Sequence, residues 1–98
     1  MQECFLVIRS IVHDPERMKS YSVGALPMVE KFGGEYVVRS DEVTALEGQY
    51  DGRRLIIVRF PDMERFQELW NSPEYEELRQ IRLSATTGEV WLVPGAVS

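Results

Sequence analysis

The two halves of this chain repeat one pattern of strand, helix and strand. An apolar run ends in Ile-Arg at residues 8–9, and Asp-Pro-Glu-Arg follows at 14–17. The same order returns with Val-Arg at 58–59 and Asp-Met-Glu-Arg at 62–65. A chain that passes through strand, helix and strand twice is typical of the split β-α-β pair, in which both halves share one sheet. The repeat therefore predicts the element order β-α-β-β-α-β.

Short apolar runs mark the strands of this pattern. The predicted strands cover residues 4–11, 35–39 with a continuation at 43–47, 54–60 and 89–93. A bulge or bend is expected at 40–42. A turn at 48–52 joins the second and third strands as a hairpin, because glycine and aspartate there suit a reversal of the chain.

Capping residues and prolines predict where the helices begin and end. Asp14 and Ser72 each precede a proline, and Asp62 follows one, so each is expected to open a helical segment. Pro27 removes a backbone donor inside the first helix, and we expect a kink or two short pieces there. The first helix ends at 33–34, where a glycine takes the left-handed conformation. The last helical segment runs to about residue 83.

Alternation along the strands assigns their side chains to two faces of the sheet. The face placed under the helices is apolar and holds Leu6, Ile8, Tyr36, Val38, Ile56, Val58, Phe60, Val90 and Leu92. The other face holds Phe5, Val7, Arg9, Val37, Arg39, Leu55, Ile57, Arg59 and Trp91. This second face is too apolar to lie in water, so we predict a homodimer packed sheet to sheet. Its arginines should pair with carboxylates such as Glu35, Glu47 or Glu89.

The composition excludes several classes of partner and site. With 11 Lys and Arg against 16 Asp and Glu, the net charge of −5 is poorly suited to a phosphate backbone, so no nucleic acid is expected. One Cys and one His cannot build the usual zinc sites or an internal disulfide, and no metal is expected. The first apolar run stops at Arg9, too short for a signal peptide or a membrane span. We therefore expect a cytoplasmic protein without a membrane partner.

A set of landmarks resembles one known family. In order they are His-Asp-Pro-Glu at 13–16, Lys-Phe-Gly-Gly at 31–34, Val-Arg at 38–39, Leu-Glu-Gly at 46–48, Phe-Pro at 60–61, Trp-Asn-Ser-Pro-Glu-Tyr at 70–75 and Thr-Thr-Gly-Glu-Val at 86–90. Together they resemble the bacterial domain-of-unknown-function family thirteen-thirty, within the dimeric α/β-barrel superfamily. The resemblance implies the fold and a dimer, and no established activity. Relatives in the superfamily include cofactor-free oxygenases, lactone isomerases and haem-using enzymes, with pockets between sheet and helices.

Pattern and resemblance together predict one α+β domain over residues 1–98, with a core from about 4 to 95. It is a ferredoxin-like βαββαβ two-layer sandwich, in which a four-stranded antiparallel sheet carries two kinked helices on one face. The domain is expected to dimerise sheet to sheet as a dimeric α/β barrel.

His13 and Tyr21 are the candidate catalytic residues. His13 is the only imidazole of the chain and lies in a strand-to-helix loop, where a general base or acid is often placed. The alternative is a solvated loop residue beside a helix cap. Tyr21 lies on the helix face that turns toward the interior, where a phenol can exchange a proton with a ligand. Its alternative is an ordinary core aromatic residue.

Tyr36, Trp70, Tyr75 and Arg39 are the candidate binding residues. The three aromatic rings lie on faces that converge between the layers, so they are placed to line an apolar pocket. The alternative is that they only fill the core. The guanidinium of Arg39 suits a carboxylate ligand, while its assigned face favours a salt bridge at the dimer interface.

Two functional hypotheses remain open on the sequence alone. The first is a small homodimeric pocket protein that acts, without a cofactor, as an enzyme on a small organic molecule. The second is a ligand-binding or interaction module with no enzymatic activity. A cavity above about 300 Å³ faced by His13 or a tyrosine hydroxyl favours the first, and a filled interior with His13 in water favours the second.

Overall fold

The computed structural model describes residues 2–96. In chain order its elements are β1 (Cys4–Val12), α1 (Pro15–Lys31), β2 (Glu35–Ser40), β3 (Arg54–Phe60), α2 (Met63–Trp70), α3 (Pro73–Ala85) and β4 (Thr86–Pro94). The strands form one antiparallel sheet in the order β2-β3-β1-β4. This is the predicted ferredoxin-like arrangement, with the second helical stretch divided into α2 and α3.

The helices cover one face of this sheet. Its buried strand residues include Leu6, Ile8, Ile56, Val58 and Phe60, and they pack against Met18, Tyr21, Ala25, Val29, Phe66, Leu69 and Tyr75 of the helices. Complete burial of an aliphatic or phenylalanine side chain of this kind stabilises a fold by about 1.5–3 kcal/mol. The alternation in the sequence predicts all five of these strand positions correctly. None of the helices within residues 2–96 is long and apolar enough to cross a membrane.

Helix α1 begins as predicted and passes through its proline unbroken. The Asp14 side chain caps it by accepting a hydrogen bond from the backbone N–H of Arg17. The expected division into two pieces at Pro27 does not occur. Pro27 lies on the exposed side of the helix, and Ala25 and Val29 on either side of it are buried in the core, which holds the helix together despite the missing donor.

Helix α3 passes directly into β4 without a connecting turn. It ends at Ala85 and β4 begins at Thr86, before the predicted strand start at residue 89. Gly88 therefore lies inside the strand, opposite Ser10, where a side chain would collide with the backbone of β1. At the far end of the same strand pair, the Gly95 N–H donates to the Glu3 carbonyl at 2.8 Å.

A bulge in β2 changes the face to which two side chains turn. Tyr36 and Val38 pair with successive residues of β3, which leaves Val37 as the extra residue. Arg39 then pairs with Ile56, a buried residue under the helices. Because residues paired across antiparallel strands share a face, Arg39 turns toward the helices and Val38 away from them. The predicted faces of both residues are wrong.

The connection between β2 and β3 is an exposed loop over residues 41–53. Strand β2 ends at Ser40, which already pairs with Leu55, so the predicted continuation at 43–47 has no strand residue to pair with. The bulge expected at 40–42 lies instead at position 37. Leu46 within the loop is 91% exposed. The two strands are antiparallel neighbours, as the predicted hairpin requires.

Candidate functional site

A small cavity lies between the sheet and helices α1 and α3. It is lined by Ile8, Ser10, Met18, Tyr21, Ser22, Leu26, Tyr36, Arg39, Arg54, Ile56, Arg82 and Thr86. Its volume of about 30 Å³ is large enough for about two water molecules. A second, more open hollow of about 240 Å³ shares Ile8, Ser10, Arg82 and Thr86 with it. Among the predicted site residues, Tyr21, Tyr36 and Arg39 line the cavity.

The cavity gathers three arginines and no carboxylate. The bulge in β2 brings Arg39 there, Arg54 starts β3, and Arg82 comes from α3. Arg82 is only 7% exposed, and its guanidinium has no hydrogen bond or ion pair within residues 2–96. The Nε of Arg54 is buried without a hydrogen-bond partner, and the Oδ1 atom of Asp41, an exposed residue, lies 3.6 Å from it. The site is therefore positively charged within an acidic protein.

Tyr21 and Tyr75 form a buried pair of hydroxyl groups. Their Oη atoms lie 2.9 Å apart, and their rings meet edge to face at 6.4 Å between centroids. Burial raises the pKa of Tyr21 far above its ordinary value, the Tyr75 hydroxyl raises it further, and the charge of Arg82 acts in the opposite direction. Tyr21 thus stays a neutral phenol that donates or accepts a hydrogen bond.

Tyr36 closes the β2 side of the cavity. The guanidinium of Arg39 lies over its ring, 5.4 Å from the centroid. Burial raises the pKa of Tyr36, while the charge of Arg39 lowers it. This contact positions Arg39, whose side chain is exposed, at the outer side of the cavity.

Trp70 and Tyr75 do not line the cavity. They belong to an aromatic row with Phe66, in which neighbouring ring centroids lie 5.5 Å apart. The guanidinium of Arg79 covers this row at 4.4 Å from the Trp70 centroid and 5.2 Å from that of Tyr75. The row packs α2 and α3 against the core, and Tyr75 reaches the cavity only through its hydroxyl bond to Tyr21.

His13 lies outside the cavity, in the loop between β1 and α1. Its ring is exposed, and its Nε2 atom is 2.7 Å from the Oγ1 atom of Thr87. The structure thus does not bring His13 together with Tyr21 at one site. Within residues 2–96, no group of three His, Cys, Asp or Glu side chains comes together to hold a metal ion.

Sequence reasoning missed Arg54 and Arg82 as residues of this site. Strand alternation and helical spacing in the sequence could have identified both residues. Arg54 lies two residues before Ile56 and so shares its face of the strand. Arg82 lies seven residues after Tyr75, which places both on one side of a helix.

Comparison with known proteins agrees with the fold. The sequence model of a family described as "Domain of unknown function (DUF1330)" matches residues 3–96. No curated protein matches. Among solved structures, RPA0582, a protein of unknown function from Rhodopseudomonas palustris, is similar with a TM-score of 0.77 and 18% identity over 99% of this chain and 83% of that one.

Two further structures extend this likeness. SnoaB, a cofactor-independent oxygenase from Streptomyces nogalater, has a TM-score of 0.70 and 18% identity over 100% of this chain and 97% of that one. A dimeric ferredoxin-like protein of unknown function from Jannaschia sp. CCS1 has a TM-score of 0.67 and 11% identity over 99% of this chain and 100% of that one. At these identities the likeness establishes the fold.

Proposed function

The chain belongs to the family described as Domain of unknown function (DUF1330), and we propose that it is a homodimeric, cofactor-free enzyme that acts on a small organic molecule in the cavity between sheet and helices. The observation that supports this most is the hydrogen-bonded Tyr21–Tyr75 hydroxyl pair beside three arginines at that cavity. When Tyr75 donates to Tyr21, the Tyr21 proton is free for a ligand oxygen on which negative charge develops. The fold it shares with SnoaB, a cofactor-independent oxygenase, adds support.

A second function, ligand binding without turnover, has its own supporting observations. The cavity of about 30 Å³ is well below the size of an ordinary substrate pocket, and His13 lies in solvent. A ligand larger than a few atoms must therefore extend beyond the cavity into its open side. In this alternative, the tyrosine pair holds the core together and takes no part in a reaction.

The experiment combines native mass spectrometry with a turnover assay. Protein as purified is measured under gentle desolvation, and retained mass names a first ligand. The protein and its Tyr21→Phe variant are then incubated in air with that ligand and with a panel of small aromatic and carbonyl compounds, and conversion is followed by liquid chromatography and mass spectrometry. Conversion that Tyr21→Phe abolishes supports the enzyme, and binding without conversion supports the binding module. Failure of every compound to bind contradicts both.

We propose that the homodimer forms through the face of the sheet that the helices leave open. Trp91 is 47% exposed there, beside the half-buried Val7 and Ile57. Arg9 on this face pairs with Asp51 of the loop between β2 and β3, so its charge is compensated. The related structure from Jannaschia sp. CCS1 is described as dimeric.

Substitution of Ile57 tests this interface. Ile57→Asp places a charge at the centre of the open face and is expected to give a monomer or an aggregate in analytical ultracentrifugation. Val23→Asp is the matched control, because Val23 is exposed on α1, away from that face. A dimer of wild-type stability in Ile57→Asp would refute the proposed interface.

A cytoplasmic location is also part of the proposal. Cys4 is a free, buried thiol, which fits a reducing compartment. Fractionation of cells that carry the protein at its native level tests the location, with a periplasmic and a cytoplasmic marker as controls. Recovery with the periplasmic marker would contradict it.

A further inference from the structure

We propose that the cavity selects ligands that carry a carboxylate, held by Arg54 and Arg82 on the inside and by Arg39 at the mouth. The inference rests on the proposed function, since it names the class of small molecule that this cavity takes. The planar guanidinium fork is well matched to the two oxygens of a carboxylate.

The first support is the distribution of carboxylates around the arginines of this chain. Five others have an acid within ion-pair distance: Arg9, Arg53, Arg59, Arg65 and Arg79. In the described part of the chain, Arg17, Arg39 and Arg82 have none, and Arg54 has only the exposed Asp41. Arg17 is exposed and donates a hydrogen bond to Ser84 instead. The protein holds 16 Asp and Glu residues and lines this cavity with none of them. Among these arginines without an acid, Arg82 is buried, and it lines the cavity.

The second support is the burial of Arg82. Arg82 is 7% exposed and its guanidinium has no counter-ion within residues 2–96, whereas charged groups with so little access to water are normally paired. The neighbouring hollow offers one carboxylate, Glu89, and that group is already paired with Arg53. The buried Nε–H of Arg54 is likewise without an acceptor. An anion in the cavity would satisfy both arginines.

The third support is size and the character of the walls. A space of about 30 Å³ accommodates about two water-sized groups, as many as the two oxygens of a carboxylate. Met18, Leu26 and the ring of Tyr36 form apolar walls beside it. A carboxylate attached to a small apolar or aromatic body fits this combination better than a bare tetrahedral anion does, because inorganic phosphate gains nothing from the apolar walls.

The test uses matched pairs of acid and amide. Acetate, benzoate and cinnamate are titrated against acetamide, benzamide and cinnamamide by NMR of the labelled full chain and by calorimetry. We expect at least one acid to bind about tenfold or more tightly than its amide, with backbone shifts centred on Ser22, Leu26 and Tyr36. Inorganic phosphate is titrated in the same way.

Three variants assign the selectivity to its residues. Arg39→Gln and Arg82→Met are expected to weaken acid binding about tenfold or more and to leave amide binding unchanged. Arg17→Gln is the matched control, since Arg17 is exposed and bonds to Ser84 away from the cavity. Arg82→Met is also expected to raise the melting temperature of the free protein, because it removes a buried charge without a partner. A lower melting temperature would mean that Arg82 stabilises the fold, and it would contradict the premise that Arg82 is a buried charge without a partner.

The outcomes separate this inference from the proposed function. Equal binding of acid and amide in the cavity overturns carboxylate selection and leaves small-molecule binding standing. Phosphate that binds as tightly as the best acid also overturns it, because the site would then accept any anion. Failure of all the compounds to bind contradicts the proposed function as well.

Discussion

Replacement of Tyr21 by phenylalanine is expected to destabilise the protein more than the same change at Tyr75, although each removes one end of the same hydrogen bond. Tyr21→Phe leaves the Tyr75 hydroxyl, in a residue that is 3% exposed and outside the cavity, without a partner. Such a buried orphan costs about 1–3 kcal/mol. Tyr75→Phe leaves the Tyr21 hydroxyl beside a cavity that admits water, so only the net hydrogen bond of about 0.5–1.5 kcal/mol is lost.

The double variant makes the reasoning testable. With both hydroxyls removed, no orphan remains, so adding Tyr75→Phe to Tyr21→Phe should restore stability to near that of Tyr75→Phe alone. In a domain of this size, the Tyr21→Phe penalty lowers the melting temperature by roughly 5–20 °C. Thermal and urea unfolding are measured at one protein concentration, because a dimer's stability depends on it. Tyr50→Phe, in the exposed loop, is the control. A double variant less stable than Tyr21→Phe would refute the account of the pair.

Three further predictions concern stability and reactivity. The free energy of unfolding should fall above pH 10.0, the ordinary pKa of tyrosine, because the unfolded chain loses phenol protons that the folded chain keeps. The slope of this fall is up to about 1.4 kcal/mol per pH unit for each buried tyrosine. A slope that Tyr21→Phe leaves unchanged would contradict this prediction. Gly88→Ala should lower the free energy of unfolding, measured in urea, by about 1–3 kcal/mol or more, since its methyl group meets the Arg9 carbonyl. Gly48→Ala, in open space, should lower it by only about 1 kcal/mol, because the methyl group adds backbone strain at a positive φ. Cys4 is buried, and this burial raises the pKa of its thiol. It should therefore react with a thiol reagent about a hundredfold more slowly in the folded protein than in the unfolded chain. Equal rates would contradict this and would show that β1 opens readily.

The fold was predictable because its determinants are local and repeated. Asp14, Asp62 and Ser72 each cap a helix by accepting a backbone hydrogen bond, and each stands where capping preferences place it. Alternation within β1 and β3 identifies the buried face without error, since these central strands run without a bulge. These features depend on neighbours in the sequence and on no distant contact.

The site was less predictable because one bulge decides it. The run from Tyr36 to Val38 is apolar throughout, and no glycine marks the extra residue at Val37. The register comes from pairing with β3, which is distant in sequence, so the face of Arg39 could not be assigned from β2 alone. The early start of β4 also depends on a contact that is distant in sequence. By itself Gly88 indicates the end of a helix, and it fits inside a strand because the backbone of β1 lies directly beside it.

The hydrogen bond between Gly95 and Glu3 has a consequence for chain connectivity. Since β1 and β4 are neighbours, a short linker could join residues near 3 and 95, and the chain could be opened instead within the exposed loop over residues 41–53. Such a circular permutant keeps every strand pair of the sheet and turns the β1–β4 pair into a hairpin. Its β2–β3 pair would then join opposite ends of the chain, so the order in which the sheet is assembled could be reversed without a change in the final fold.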